Sequence, residues 1–263
     1  MGQSPASDAT SYKGRFVKPI ALCFAGLFSA AAFAGPADYV YTPNVEYGER
    51  ELDFKFGSSK PPAGGRQQAD SIGFGYGISE YWFTEIYLKY KRTGNMGHRL
   101  DALEFENKFQ LTEAGKYPLD IGLITEVEIP RQNGDTYEFR FGPLLQTEFG
   151  KLQLNGNLLF ERQYRGNPDF DGGAPHNTEI GYQWQMKYRW LREFEYGLQG
   201  FGEMGKWNAW DAKDLQNHRM GPAVFGKIGV GNHQAIAYNA AWLIGVSKAA
   251  PDNTFRMQVE YEF

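Results

Sequence analysis

The end of the chain sets a pattern that returns along its length. Phe255, Met257, Val259, Tyr261 and Phe263 alternate with Arg256, Gln258, Glu260 and Glu262, an apolar side against a charged one. A period of two predicts a strand whose two faces meet different surroundings. Leu103, Phe105 and Phe109 alternate in the same way with Glu104, Glu106 and Lys108, and Ile121, Leu123, Thr125, Val127 and Ile129 face away from Glu126 and Glu128. Ile180, Tyr182, Trp184, Met186 and Tyr188 oppose Glu179, Lys187 and Arg189. About twelve such runs follow one another, centred near residues 51, 72, 86, 105, 123, 142, 157, 183, 198, 223, 240 and 258. Each is ~10 to 14 residues long, the length of a tilted membrane strand.

After residue 34 no stretch is continuously apolar for the ~20 residues of a spanning helix, so a membrane crossing must use strands that close on themselves. The connections support closure with two unlike ends. Those after odd-numbered runs tend to be long, as from Ser58 to Gln67, Gly166 to His176 and Lys206 to Asn217. Those after even-numbered runs tend to be short, as at Ser79-Glu80 and Gly231-Asn232, while Asn133-Gly134 is a tight-hairpin signal within the long set. The expected fold is all-β: an antiparallel up-and-down transmembrane barrel of about twelve strands.

The first 34 residues read differently. Lys13, Arg15 and Lys18 precede an apolar run from Ile20 to Phe33 that ends in Ala32-Phe33-Ala34. This order predicts a signal peptide cut after Ala34, with the barrel over residues 35–263. Cys23, the only cysteine, falls inside the leader after Leu22, so the mature part has neither a disulfide nor a thiolate metal site. Without the leader, 24 Lys and Arg face 30 Asp and Glu, a formal charge of -6, which argues against nucleic acid as a partner. No cofactor is implied.

Alternation alone does not tell a lipid-facing surface from a soluble core, and a soluble β-sandwich or lipocalin-like barrel is the competing fold. The aromatics favour lipid. They make up 16% of the chain, and a soluble core seldom carries as many Tyr and Trp as Trp82, Tyr182, Trp184, Tyr188, Trp190 and Trp242 supply, whereas aromatics near strand ends are expected at membrane interfaces. With the terminal Val259-x-Tyr261-x-Phe263, the chain resembles Gram-negative outer-membrane β-barrel proteins of the porin or channel kind. That resemblance implies an outer-membrane location and surrounding lipid as a partner. It also implies that a last strand ending in Phe263 is recognised by the barrel-assembly machinery.

If the apolar phase faces lipid, the other phase faces a lumen. The expected lining is Glu51, Asp53, Lys55, Glu85, Lys89, Glu104, Glu106, Lys108, Glu126, Glu128, Glu138, Arg140, Lys187, Arg189, Glu195, Lys227, Arg256 and Glu260, joined by Glu148 and Glu203. Acids outnumber bases. A passage so lined favours cations and small hydrophilic solutes, whereas the same residues paired across strands make a salt-bridged plug. Twelve strands stand between the barrels that side chains fill and those that hold a wide channel. Gly73, Gly75 and Gly77, with Ala235, Ala237, Ala241 and Gly245, either open space on the wall or make room for large neighbours.

Three further motifs are weak. A lipid-modifying enzyme needs a serine with a histidine base, and only Ser247 with His218 or His98 offers a pairing. Residues 167–179 hold a partial calcium loop, with Thr178 at its twelfth position and Glu179 one place late. The segment Trp207 to Trp210 is either a sugar-stacking platform or an interfacial anchor. The expected role is a passive channel, against a closed barrel that acts through its long loops.

Overall fold

A computed structural model describes residues 1–2 and 35–263, apart from 63, 64, 95, 96, 133, 134 and 165–176. The expected leader with Cys23, the Asn133-Gly134 turn, His176 and nearly all of the possible calcium loop lie outside the described residues. The strands are β1 (Arg50–Lys60), β2 (Gln67–Ser79), β3 (Trp82–Thr93), β4 (Arg99–Gln110), β5 (Asp120–Pro130), β6 (Tyr137–Phe149) and β7 (Leu152–Tyr164). They continue as β8 (Thr178–Leu191), β9 (Phe194–Lys206), the two-residue β10 (Ala209–Trp210), β11 (Asn217–Gly231), β12 (Gln234–Gly245) and β13 (Asn253–Glu262). Twelve of them pair antiparallel, each with its neighbour in sequence, and β13 pairs with β1 to close the ring. β10 is an extra piece that folds back on the end of β9.

Closure leaves no free edge, which is the condition for a sheet inside a bilayer. At the seam Leu52 lies opposite Tyr261 and Phe54 opposite Val259, while Asp53 lies opposite Glu260, so the two phases stay in register around the ring. The connections sort as expected. β2–β3, β6–β7, β8–β9 and β11–β12 are joined by two-residue turns, and only the link over residues 111–119 between β4 and β5 is long at that end.

Burial is inverted relative to a soluble protein. Leu52, Phe54, Ile72, Phe74, Ile86, Leu88 and Phe105 are exposed, while Asp53, Lys55, Glu85, Glu106, Glu126, Arg140 and Arg256 are buried. A soluble barrel hides its apolar phase and wets its charges; charged residues are almost never buried unless paired. The exposed phase forms a continuous belt across strands, for Ile72 lies between Phe54 and Leu88. Rings border the belt at both ends. Trp82, Trp190, Phe194 and Tyr196 stand near the short turns, and Trp207, Trp210 and Trp242 near the long connections, all exposed. This is the arrangement of a barrel wall between two membrane interfaces. Among the described residues, no helix is long and apolar enough to cross a membrane.

One element has no counterpart in the periodic reading. Residues 35–49, a strap ahead of β1, run through the inside of the barrel. At one end the Arg219 guanidinium donates to the Gly35 carbonyl at 3.0 Å, near the long connections. At the other the Gly48 amide donates to Gly77 O at 2.9 Å, and Gly77 N returns a bond to Glu49 O at 2.9 Å, near the short turns. Two proline residues, Pro36 and Pro43, keep this segment out of any ladder.

Candidate functional site

The candidate site is the lumen, and the register of the strands decides its chemistry. Glu85 lies opposite Glu106, Glu106 opposite Glu126, Glu126 opposite Arg140 and Arg140 opposite Glu161. Like charges directly across a ladder destabilise it. Arg140 relieves one end of the row, at 3.0 Å from Glu126 and 2.9 Å from Glu161. Glu106 has no such cation at ion-pair distance among the described residues; instead the Tyr39 hydroxyl of the strap reaches both its oxygens, at 2.9 and 3.0 Å. Tyr41, the next strap tyrosine on that side, donates to Glu126.

A second row is also paired. Lys89 bridges Glu104, at 2.7 Å, and Glu128. Lys55 sits 3.4 Å from Asp53, between the rings of Tyr39 at 3.7 Å and Tyr87 at 3.6 Å, a cation held by two aromatic faces. Tyr87 also donates to Asp53 at 2.8 Å and to Glu85. Nearer the short turns Lys187 pairs with Glu195 at 3.2 Å and Lys227 with Glu262. Glu138 accepts from Gln163 at 3.2 Å, and Glu203 from Asn217 at 3.0 Å.

Each expected lining residue on a strand therefore turns from the belt. Glu51, Asp53, Lys55, Glu85, Glu104, Glu106, Glu126, Arg140 and Arg256 are buried, and Lys89, Lys108, Glu128, Glu138, Lys187, Glu195, Lys227 and Glu260 are half-buried. Arg189 is exposed at the rim, 2.8 Å from Glu148. The lining is less free than its charge list suggests, because much of it is tied into these pairs.

Charge counting also passes over part of the wall. On β6 to β9 seven of the inward positions are amides: Gln146, Gln153, Asn155, Asn157, Gln183, Gln185 and Gln199 are all buried. They bond to one another, as Gln153 to Gln146 at 3.0 Å and Gln199 to Gln185 at 2.7 Å. Arg256 donates to Gln199 at 2.5 Å and so joins the amide side to β13. Alternation between Tyr182, Trp184 and Met186 marks Gln183 and Gln185 as inward; lack of charge kept them off the candidate list.

The strap adds the apolar contacts. Val40 packs with Phe201, Phe225, Ala223, Ala241 and Leu243, and Tyr41 with Ile124, Leu144 and Leu159. The inward glycines make room instead of opening a pore. A β-carbon on Gly73 would lie 2.3 Å from the Tyr87 ring, and one on Gly75 2.6 Å from the Phe83 ring. Ala241 likewise accommodates its neighbours, being buried against the Val40 cluster.

Open space is unequal along the axis. A cavity of about 730 Å³ opens at the short-turn end, lined by Glu49, Glu51, Glu85, Glu260 and Glu262 with Lys108 and Lys227, and walled on one side by the strap. Burial, with the Glu262 carboxylate beside it, pushes Glu49 up to about 7. Toward the long connections, the pocket among Glu104, Glu126, Glu128, Glu138, Arg140 and Glu161 holds about 10 Å³.

No family model matches the sequence, and no curated protein does. Solved structures match the fold. The COG4313 outer membrane channel from Pseudomonas putida F1 aligns with a TM-score of 0.57 at 14% identity, over 87% of this chain and 98% of that one. The NanC porin aligns with a TM-score of 0.56 at 11% identity, over 81% of this chain and 100% of that one. The fold is that of an outer-membrane β-barrel. The translocator domain of the autotransporter NalP from Neisseria meningitidis shares it, with a TM-score of 0.50 at 14% identity over 83% of this chain and 89% of that one.

In a barrel of this fold the remaining candidates fall into place. Ser247 Oγ accepts from the backbone amide of His218 at 2.8 Å, while the His218 ring meets Tyr182 at 3.0 Å and Gln216 at 2.8 Å. His98 is bonded to Asp70 at 2.7 Å. Neither imidazole is positioned on a serine hydroxyl. At the C-terminus Phe263 N donates to Arg50 O at 2.8 Å, and its ring stacks on Tyr261.

Proposed function

We propose that this barrel is a passive channel of the outer membrane, passing small hydrophilic solutes with a preference for cations. The observation that carries the reading is the vestibule of about 730 Å³, in which seven carboxylates face five basic side chains. A wide mouth with excess negative charge draws cations from solution and repels anions. The likeness to porins and channels supports the fold on which this rests, and the unequal ends of the barrel give its orientation. Short turns face the periplasm and long connections face outward. In this reading a leader over residues 1–34 directs secretion, and the strand ending in Val259, Tyr261 and Phe263 presents the barrel to the assembly machinery. Lipid surrounds the belt.

Protein purified from outer membranes and placed in a planar bilayer is expected to give discrete current steps. In a salt gradient the reversal potential is expected to carry the sign of cation preference. That preference should grow between pH 5.5 and 8.5, because Glu49, with its pKa pushed up to about 7, gains a negative charge at the mouth over that interval. An anion-selective current that ignores pH would contradict the assignment of the lining. A bilayer with no steps would favour a closed barrel acting through its long connections, a reading that the paired lumen charges and the filling strap support.

A further inference from the structure

The strap is seated in notches of the wall, and the notches are glycines. A β-carbon on Gly57 would lie 1.9 Å from Pro36 O, 2.0 Å from Pro36 C and 2.3 Å from Ala37 N. One on Gly77 would lie 1.9 Å from Glu46 O, and one on Gly122 would lie 2.9 Å from Pro43 Cβ. None of the three has a positive φ, so the barrel backbone at these positions suits any residue. At Gly57 the nearest atoms all belong to the strap. The strap is the first thing a side chain there would meet.

The way the strap is held suits removal. It adds no strand to the ladder, and over residues 35–45 its bonds to the wall run through barrel side chains: Arg219 to Gly35 O, Asn157 to Tyr41 O at 3.0 Å, and Val45 N to Gln110 at 2.8 Å. Among the described residues its backbone hydrogen bonds to barrel backbone are at Gly48 and Glu49, next to the start of β1, where a segment swinging out of the lumen would pivot.

We propose that residues 35–49 are a displaceable gate of the channel, closed when seated against Gly57, Gly77 and Gly122 and open when the part ahead of Gly48 leaves the lumen. The proposal rests on the channel reading. When the strap leaves, Tyr39 and Tyr41 come away from Glu106 and Glu126, and Val40 from the Phe201 and Phe225 rings. The narrow stretch between the vestibule and the long connections then becomes a water-filled path lined by unrelieved carboxylates.

Two variants push the gate in opposite directions. Gly57→Ala overfills the notch at the end of the strap far from β1 in sequence, and the overlap is with strap backbone, which has no side-chain rotamer to give. The open fraction in a planar bilayer is expected to rise about tenfold or more, as a gate destabilised by an ordinary overpacking cost would show. Pro43→Cys with Gly122→Cys ties the strap down. The two β-carbons lie about 1 Å closer than the usual ~3.8 Å of a disulfide, a shift within reach of a segment outside the ladder. Oxidised, this pair is expected to remove most openings; reductant is expected to restore them, while the single Pro43→Cys and Gly122→Cys variants, which cannot form the bridge, are expected to respond to neither oxidant nor reductant. Folding of every variant is checked by heat-modifiable mobility on gels.

Steps in the parent protein that are unchanged by Gly57→Ala and by oxidation of the cysteine pair would make the strap a fixed part of the wall. The gate would then fall and the channel would stand. Silence in all preparations, the Gly57→Ala and reduced ones included, would overturn the gate together with the channel.

Discussion

Arg140→Ala is expected to destabilise the folded barrel by about 3–5 kcal/mol, because it leaves buried carboxylates with no opposite charge. The guanidinium lies 3.0 Å from Glu126 and 2.9 Å from Glu161, and also donates to the Tyr41 hydroxyl at 3.3 Å. The carboxylates sit on neighbouring strands and the tyrosine on the strap, so one side chain links β5, β6, β7 and the lumen segment. Water that enters in its place does not supply a positive charge. Urea unfolding in lipid vesicles, followed by tryptophan fluorescence, should show the loss as a lower midpoint. The double variant Arg140→Ala with Glu161→Gln should recover part of it, since one of the stranded charges is then gone. A single-variant loss under about 1 kcal/mol would mean that the network is solvated like a surface pair.

Ile72→Arg is the second large effect, and it tests the opposite face. Ile72 is 51% exposed and lies between Phe54 and Leu88 in the middle of the belt. A cation placed there in hydrocarbon is expected to cost about 2–4 kcal/mol. On a water-facing sheet the same change at a half-exposed isoleucine would cost little. Unfolding from vesicles, or the yield of folded barrel on insertion, measures the difference. A neutral result would place that face in water.

The strands were legible because lipid on one side and polar lumen on the other impose a strict phase. In β13 Phe255, Met257 and Val259 stay on one side and Arg256 and Gln258 on the other, with no exception to blur them. Orientation was legible from the same residues together with the aromatics near strand ends. Pairing was not. That Glu106 stands between Glu85 and Glu126 depends on the shift between neighbouring strands, which alternation within each strand leaves free.

The strap was not legible either, for a different reason. It belongs to no ladder, so no period runs through Pro36, Tyr39, Val40, Tyr41 and Pro43. Its presence bears on the glycines as well. Gly77 alternates with Tyr76 and Ile78 as an ordinary inward position, and only the path of Glu46 past it shows why a side chain is excluded. The one advance sign was composition: two tyrosines and a valine between prolines, ahead of the first strand, form a segment with apolar side chains to bury and no sheet to bury them in.

The central claim is that each strand turns its apolar phase to lipid and its charged phase to the lumen, and spin-label scanning along β13 tests it most directly. Residues 35–263 contain no cysteine, so single cysteines at positions 254 to 259 of the barrel in lipid vesicles carry one label each. Labels at 255, 257 and 259 are expected to be relaxed by dissolved oxygen, which concentrates in the bilayer, and shielded from a water-soluble nickel chelate; those at 254, 256 and 258 should lack the oxygen effect. Oxygen access at the even positions with chelate access at the odd ones would turn the barrel inside out and contradict the account.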